Sequence, residues 1–140
     1  MIAVIRISGM IGIDESLKEG LYRLRLRRKY ACVLIEDTKE NRKLLSRLRN
    51  VVAYGKISPE TQKELVEKRA LPIDKSTKID AEKVSKEIGK KSFEELGIKP
   101  FFRLHPPRGG IESKKHFGVS SRAVLGDNGD KINDLIRRML

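Results

Sequence analysis

The spacing of apolar positions changes along the chain, and each change marks an element. IAVIRIS (2–8) is an apolar run rich in β-branched residues, closed by the Gly9–Gly12 turn, and it predicts a first strand. Asp14 stands where a helix N-cap belongs, and Leu17, Leu21 and Leu24 follow at i, i+4 and i+7 on one face. YACVLIE (30–36) is a continuous apolar run and predicts a strand buried on both faces. From Asp37 or Thr38 a second helix carries Leu44, Leu45 and Leu48, and VVAYGKI (51–57) predicts a third strand. The order to this point is β-α-β-α-β.

Ser58 followed by Pro59 opens the next helix, because the serine oxygen accepts a free N–H and proline at the first helical position gives up no bond. Leu65 and Val66 give that helix an apolar side. A further helix is predicted from Asp80 to about Ile88, and Ser92 with Glu95 forms a capping box for a short one ending at Gly97. Lys and Glu interleave through 60–95, the pattern of a solvated, salt-bridged face. After Pro100, FFRLH predicts one more strand, followed by a Pro-Pro-Arg-Gly-Gly turn, a Gly-, Ser- and Lys-rich loop over 109–122, and a closing helix over 132–140. That loop is expected to be disordered without a partner.

The fold predicted is α+β in a single domain, 1–140. Residues 1–57 form a small β-α-β-α-β sheet core, ferredoxin-like in character, with helices packed on one face. Residues 58–99 form a helical segment, and 100–140 a loop-rich extension of strand, loop and helix.

Charge changes this picture. The chain carries 31 Lys and Arg against 19 Asp and Glu, a net charge of +12. The surplus is six over residues 1–50, two over 51–100 and four over 101–140, so it lies towards the two ends. A field of that sign calls for an anionic partner. The single cysteine, Cys32, sits within an apolar run and reads as a small core hydrophobe. No uncharged run is long enough to span a bilayer, and a cytoplasmic protein without a membrane partner is expected. Scarce amides, one Gln and four Asn, suit a hot habitat.

Two stretches carry candidate chemistry. In LYRLRLRRKY (21–30), read as helix, Arg23, Arg25, Arg27, Arg28 and Lys29 cluster around one helix end. Arginine predominates there, and its planar fork of donors matches phosphate oxygens two at a time. The alternative is a solvated helix end whose cations complement the macrodipole.

In FFRLHPPRGG (101–110), Arg103 and His105 lead into Pro106 and Pro107, which stiffen the path. Arg108 points outward, and Gly109 and Gly110 leave their amides bare for a close backbone approach. That describes a stiff prong suited to a phosphate backbone, where the alternative is an ordinary turn. Lys114, Lys115, His116 and Arg122 follow within the same loop and favour the prong.

Catalysis finds little support. His105, His116 and one cysteine make no recognised metal spacing, no carboxylate pair stands out, and no cofactor, small-molecule substrate or catalytic residue is implied. The lone GxxG of residues 9–12 lies between strand and helix, not between two helices as in a KH domain.

RLHPPRGG (103–110), KKHF (114–117), INDLIRRM (132–139) and the opening IRISGMIGI with LRLRRKYACVLIED resemble the large-subunit ribosomal protein L-thirty family in its archaeal form, the counterpart of eukaryotic L-seven. The resemblance covers the whole chain. It implies a non-catalytic constituent of the large ribosomal subunit, in contact with rRNA, close to 5S rRNA and beside other ribosomal proteins. Residues 105–110 and 114–116 are the contacts it implies, and the Arg23–Lys29 cluster is added from charge and geometry. Two departures stand out: VSSRAVL (119–125) replaces an expected Gly-Gly turn, and the basic N-terminal extension of eukaryotic members is missing. A free RNA- or DNA-binding protein outside the ribosome is the competing reading, and an RNA-processing enzyme using His105 or His116 is a weaker third.

Overall fold

The computed structural model describes residues 1–9, 11–76 and 78–140. Met10, in the turn expected after the first strand, lies outside them. Strand β1 (Ile2–Arg6) leads to helix α1 (Glu15–Arg23), β2 (Ala31–Ile35), α2 (Lys39–Leu48) and β3 (Val52–Lys56). Then come α3 (Pro59–Arg69), α4 (Ala81–Glu87), β4 (Phe102–Arg103), β5 (Glu112–His116), β6 (Ala123–Asp127), a 3₁₀ turn and α5 (Ile132–Met139). The strands form one mixed sheet in the order β4-β2-β1-β3-β6-β5.

β1 lies at the centre of the core and pairs antiparallel with both β2 and β3, with Val4 opposite Val33 on one side and Tyr54 on the other. Helix α2 therefore carries the chain across β1 between two mutually parallel strands, a split β-α-β arrangement. The α+β class and the ferredoxin-like core are those expected from the sequence.

The period-2 alternation of the strands separates two apolar layers. Ile2, Val4, Ala31, Val33 and Val52 meet Leu21, Leu45 and Leu48 of α1 and α2. Ala3, Ile5, Cys32, Leu34 and Ala53 meet Leu65, Val66, Phe102, Ile132 and Ile136. The core's own helices thus share one face, as expected. The middle segment and α5 cover the other face, so the complete sheet carries helices on both sides. That is why β1 is buried at every position.

The caps match the sequence. The Thr38 and Ser58 hydroxyls accept from the amides of Asn41 and Thr61, and the Asp80 carboxylate accepts from Glu82 and Lys83. Gly55 permits a very close approach between layers: a Cβ there would lie 2.3 Å from the Gly129 carbonyl oxygen and 2.9 Å from Ile132.

Three expectations are corrected. The capping box at Ser92 forms, with Glu95 N–H donating to Ser92 Oγ at 3.3 Å, but it closes hydrogen-bonded turns and no helix follows. The strand expected from FFRLH is only two residues long, because Leu104 N–H still reaches Tyr30 O whereas His105 N–H turns to Met139 O on α5. The 109–122 stretch is not all loop, since β5 forms within it.

Where the sequence departs from the family, at 117–122, the path is built from hydrogen-bonded turns. Val119 N–H bonds His116 O and Ala123 N–H bonds Ser120 O, so two successive turns replace the expected Gly-Gly turn, and Gly118 alone supplies the positive φ of 94°.

Candidate nucleic-acid interface

The arginine cluster is not helical. Helix α1 ends at Arg23, which is engaged by Glu19 at 2.8 Å, and residues 24–30 form a tight loop. Arg25 and Tyr30 take positive φ angles of 63° and 66°, and no other non-glycine described residue does so. Leu26 is driven into the core, fully buried.

The loop is fastened from below by Arg6. Its guanidinium donates to Leu26 O at 2.8 Å and to Ser8 O at 3.0 Å, and burial pushes its pKa below the ordinary value. Sequence reading gave Arg6 no role within IAVIRIS. The available signal was an arginine in register with Ile2 and Val4 on an inward face.

β4 pairs antiparallel with β2, setting Arg103 opposite Ala31. This brings the start of FFRLHPPRGG against the 25–30 loop. Between them lies a cleft of about 340 Å³ lined by Arg25, Arg27, Arg28, Lys29, Tyr30, Ala31, Phe101, Arg103 and Leu104. Five cations face it and no carboxylate does. None of the five has an ion-pair partner among the described residues. Arg103 lies 5.6 Å from the Phe101 ring centroid, Lys29 5.1 Å from that of Tyr30, and Arg27 5.7 Å from that of Tyr22.

The prong is built onto the end of α5. His105 N–H donates to Met139 O at 2.9 Å and Arg108 N–H to Arg138 O at 3.0 Å, so it satisfies carbonyls that a helix end leaves open. The Arg138 guanidinium returns to Arg108 O at 2.9 Å and also holds Gly110 O. Pro107 is buried, while His105, Pro106, Arg108, Gly109 and Gly110 are exposed. Gly109 and Gly110 have φ of 80° and 74°, which a side chain would strain. Arg138 is the second residue sequence reading missed, since within INDLIRRM it looks like an ordinary last-turn cation.

Lys114, Lys115 and His116 lie on β5, with Arg122 just before β6. Lys115 is paired with Glu112 at 3.7 Å, and Glu112 also accepts from the Ser120 hydroxyl. That hydrogen bond holds the Glu112 carboxyl below its ordinary value. Lys114 and Arg122 are exposed and His116 is half-buried against Gly126.

The predicted residues therefore divide into two groups at opposite edges of the sheet. Five inter-strand steps separate β4 from β5, or about 24 Å. The prong lies on the connection between them.

No helix among the described residues is long and apolar enough to cross a membrane, and no cluster there has the makings of a metal site. No family model matches the chain. It is similar along its length to the large ribosomal subunit protein uL30 of Archaeoglobus fulgidus, at 36% identity over 155 aligned residues covering 99% of each chain. The protein of that name from Aeropyrum pernix is 36% identical over 155 residues, covering 99% of this chain and 98% of its own. That of Methanobrevibacter smithii is 32% identical over 154 residues, covering both chains completely.

Proposed function

Because the chain belongs to the uL30 family of large ribosomal subunit proteins, we propose that it is a non-catalytic constituent of the archaeal large subunit which binds rRNA through its basic side chains and the Pro-Pro-Arg-Gly-Gly prong. The observation that carries the RNA-binding part is the cleft between the 25–30 loop and β4, where five cations converge without a carboxylate. Mutual repulsion among them is relieved when phosphates neutralise them, and arginine forks bind such oxygens two at a time. The prong adds a second kind of contact: a rigid turn whose glycine amides approach a sugar–phosphate backbone without steric hindrance.

Recognition of this kind reads shape and backbone more than base edges, as suits folded RNA. Other ribosomal proteins and 5S rRNA are its neighbours in this reading, and the cytoplasm is its compartment.

Sedimentation of a lysate through sucrose after a high-salt wash tests the assignment. Protein confined to the large subunit and the intact ribosome is the expected result. Protein at the top of the gradient would replace the ribosomal role with that of a free RNA- or DNA-binding protein. The binding mechanism has its own measurement, the salt dependence of affinity for large-subunit rRNA. Neutralisation of about six to eight phosphates gives a log–log slope of roughly −4 to −7, and a slope near zero would remove the electrostatic mechanism.

A further inference from the structure

The cleft between the 25–30 loop and β4 has features that phosphate binding does not require. Its lining includes apolar and aromatic residues, Tyr30, Phe101, Ala31 and Leu104, beside the cations. A site that only neutralised phosphates would be served by a flat cluster of arginines. A recess of about 340 Å³ falls in the size range of pockets that enclose small organic groups.

The backbone of β4 adds a directional element. Leu104 N–H donates to Tyr30 O at 3.1 Å, on the β2 side. By strand alternation the main-chain N–H and C=O of Arg103 point the other way, to the open sheet edge, since β4 is the outermost strand. The cleft thus combines aromatic and apolar lining with phosphate-seeking cations, and β4 beside it carries an outward-facing main-chain donor and acceptor. The two non-glycine residues with positive φ, Arg25 and Tyr30, both line it, and such strain concentrates at ligand sites.

We infer that this cleft receives a single unpaired nucleotide of the bound RNA. Its base stacks on an aromatic ring of the lining, Phe101 or Tyr30, and its flanking phosphates lie on Arg25, Arg27 and Arg28. The inference rests on the RNA-binding reading above and adds to it the element recognised: a nucleotide extruded from a helix, not the helix itself. Arg103 and Lys29, now resting over the two rings, share those faces with the incoming base or move to its phosphates, where their charge is better used.

The test uses the full chain and two RNA stems with the same base-paired sequence, one fully paired and the other carrying one additional, unpaired 2-aminopurine. The protein should favour the unpaired-nucleotide stem, with a change in 2-aminopurine fluorescence on binding. Phe101→Leu keeps the apolar bulk but removes the π face, and should reduce that preference by about tenfold. Tyr30→Leu should act in the same direction, and circular dichroism melting of both variants reports whether the fold survives. Ultraviolet crosslinking of the wild-type complex with large-subunit rRNA should attach a nucleotide to Phe101 or Tyr30.

Equal affinity for the two stems, or crosslinks confined to the prong and β5, would overturn the inference and leave the RNA-binding reading standing. Failure to bind either stem or the rRNA would overturn both. Tight binding of adenosine monophosphate alone, undiminished by excess RNA, would make this a free-nucleotide site and equally sink the inference.

Discussion

Two arginines hold the 25–30 loop and the prong in place without lining the cleft themselves. Arg6 is almost wholly inaccessible, and its guanidinium holds the carbonyls of Leu26 and Ser8. Arg6→Met would keep much of the volume and leave the Leu26 carbonyl without this donor, so destabilisation of about 1–3 kcal/mol is expected in chemical denaturation. A change within about half a kcal/mol would show that the loop does not depend on it. Arg138 is the counterpart at the prong, where it holds Arg108 O and Gly110 O. Arg138→Ala should speed amide exchange at Arg108 and Gly110, while His105, bonded to the Met139 carbonyl, keeps its protection. Uniform loss across 105–110 would instead mean that the guanidinium supports the whole helix end. Neither residue was legible as functional, because the sequence shows a charge but not the carbonyl, 20 or 28 positions away, that it serves.

Elements were legible where a local rule acts alone. α2 and α3 start at Thr38 and Ser58 because those hydroxyls cap them, and β1 to β3 follow from apolar runs. Reading failed where tertiary pairing overrides local pattern. ESKKH has neither alternation nor β-branched residues, yet β5 forms because main-chain bonds to its neighbours hold it, Glu112 N–H to Arg122 O and Phe117 N–H to Leu125 O. LRLRRK has good helix formers, yet the chain leaves the helix after Arg23, with Leu26 buried in the core and the Leu26 carbonyl bound by Arg6.

The β5 turn carries a pH signature. The Ser120 hydroxyl holds the Glu112 carboxyl below its ordinary 4.5, helped by Lys115 and Arg122. A depressed folded pKa contributes stability that is complete above the unfolded value and is lost as pH falls through the folded one. Amide protection at Glu112 and Ala123 should therefore be level between about pH 5 and 8 and decline below the ordinary glutamate value. Glu112→Gln should abolish that dependence, and a decline already present near pH 6 would point to another group.

At the scale of the whole molecule, the sheet acts as a spacer that holds two cationic groups about 24 Å apart, the β4-edge cleft and the β5 lysines. Ribosomal RNA is long enough to meet both at once, and the second contact then forms at high effective concentration. Neutralising one edge should cost much more on a long RNA than on a short one that reaches only that edge. Lys114→Ala with Lys115→Ala should weaken binding to large-subunit rRNA by at least about tenfold, yet barely alter binding of a stem that occupies the β4 cleft alone, and Arg28→Ala with Arg103→Ala should weaken both. Equal losses on short and long RNA for the lysine pair would mean that the two edges act through general charge, with the sheet merely carrying them. The unequal result would mean that strand order, not composition, sets the affinity: the same +12 placed on one face would bind RNA but could not span it.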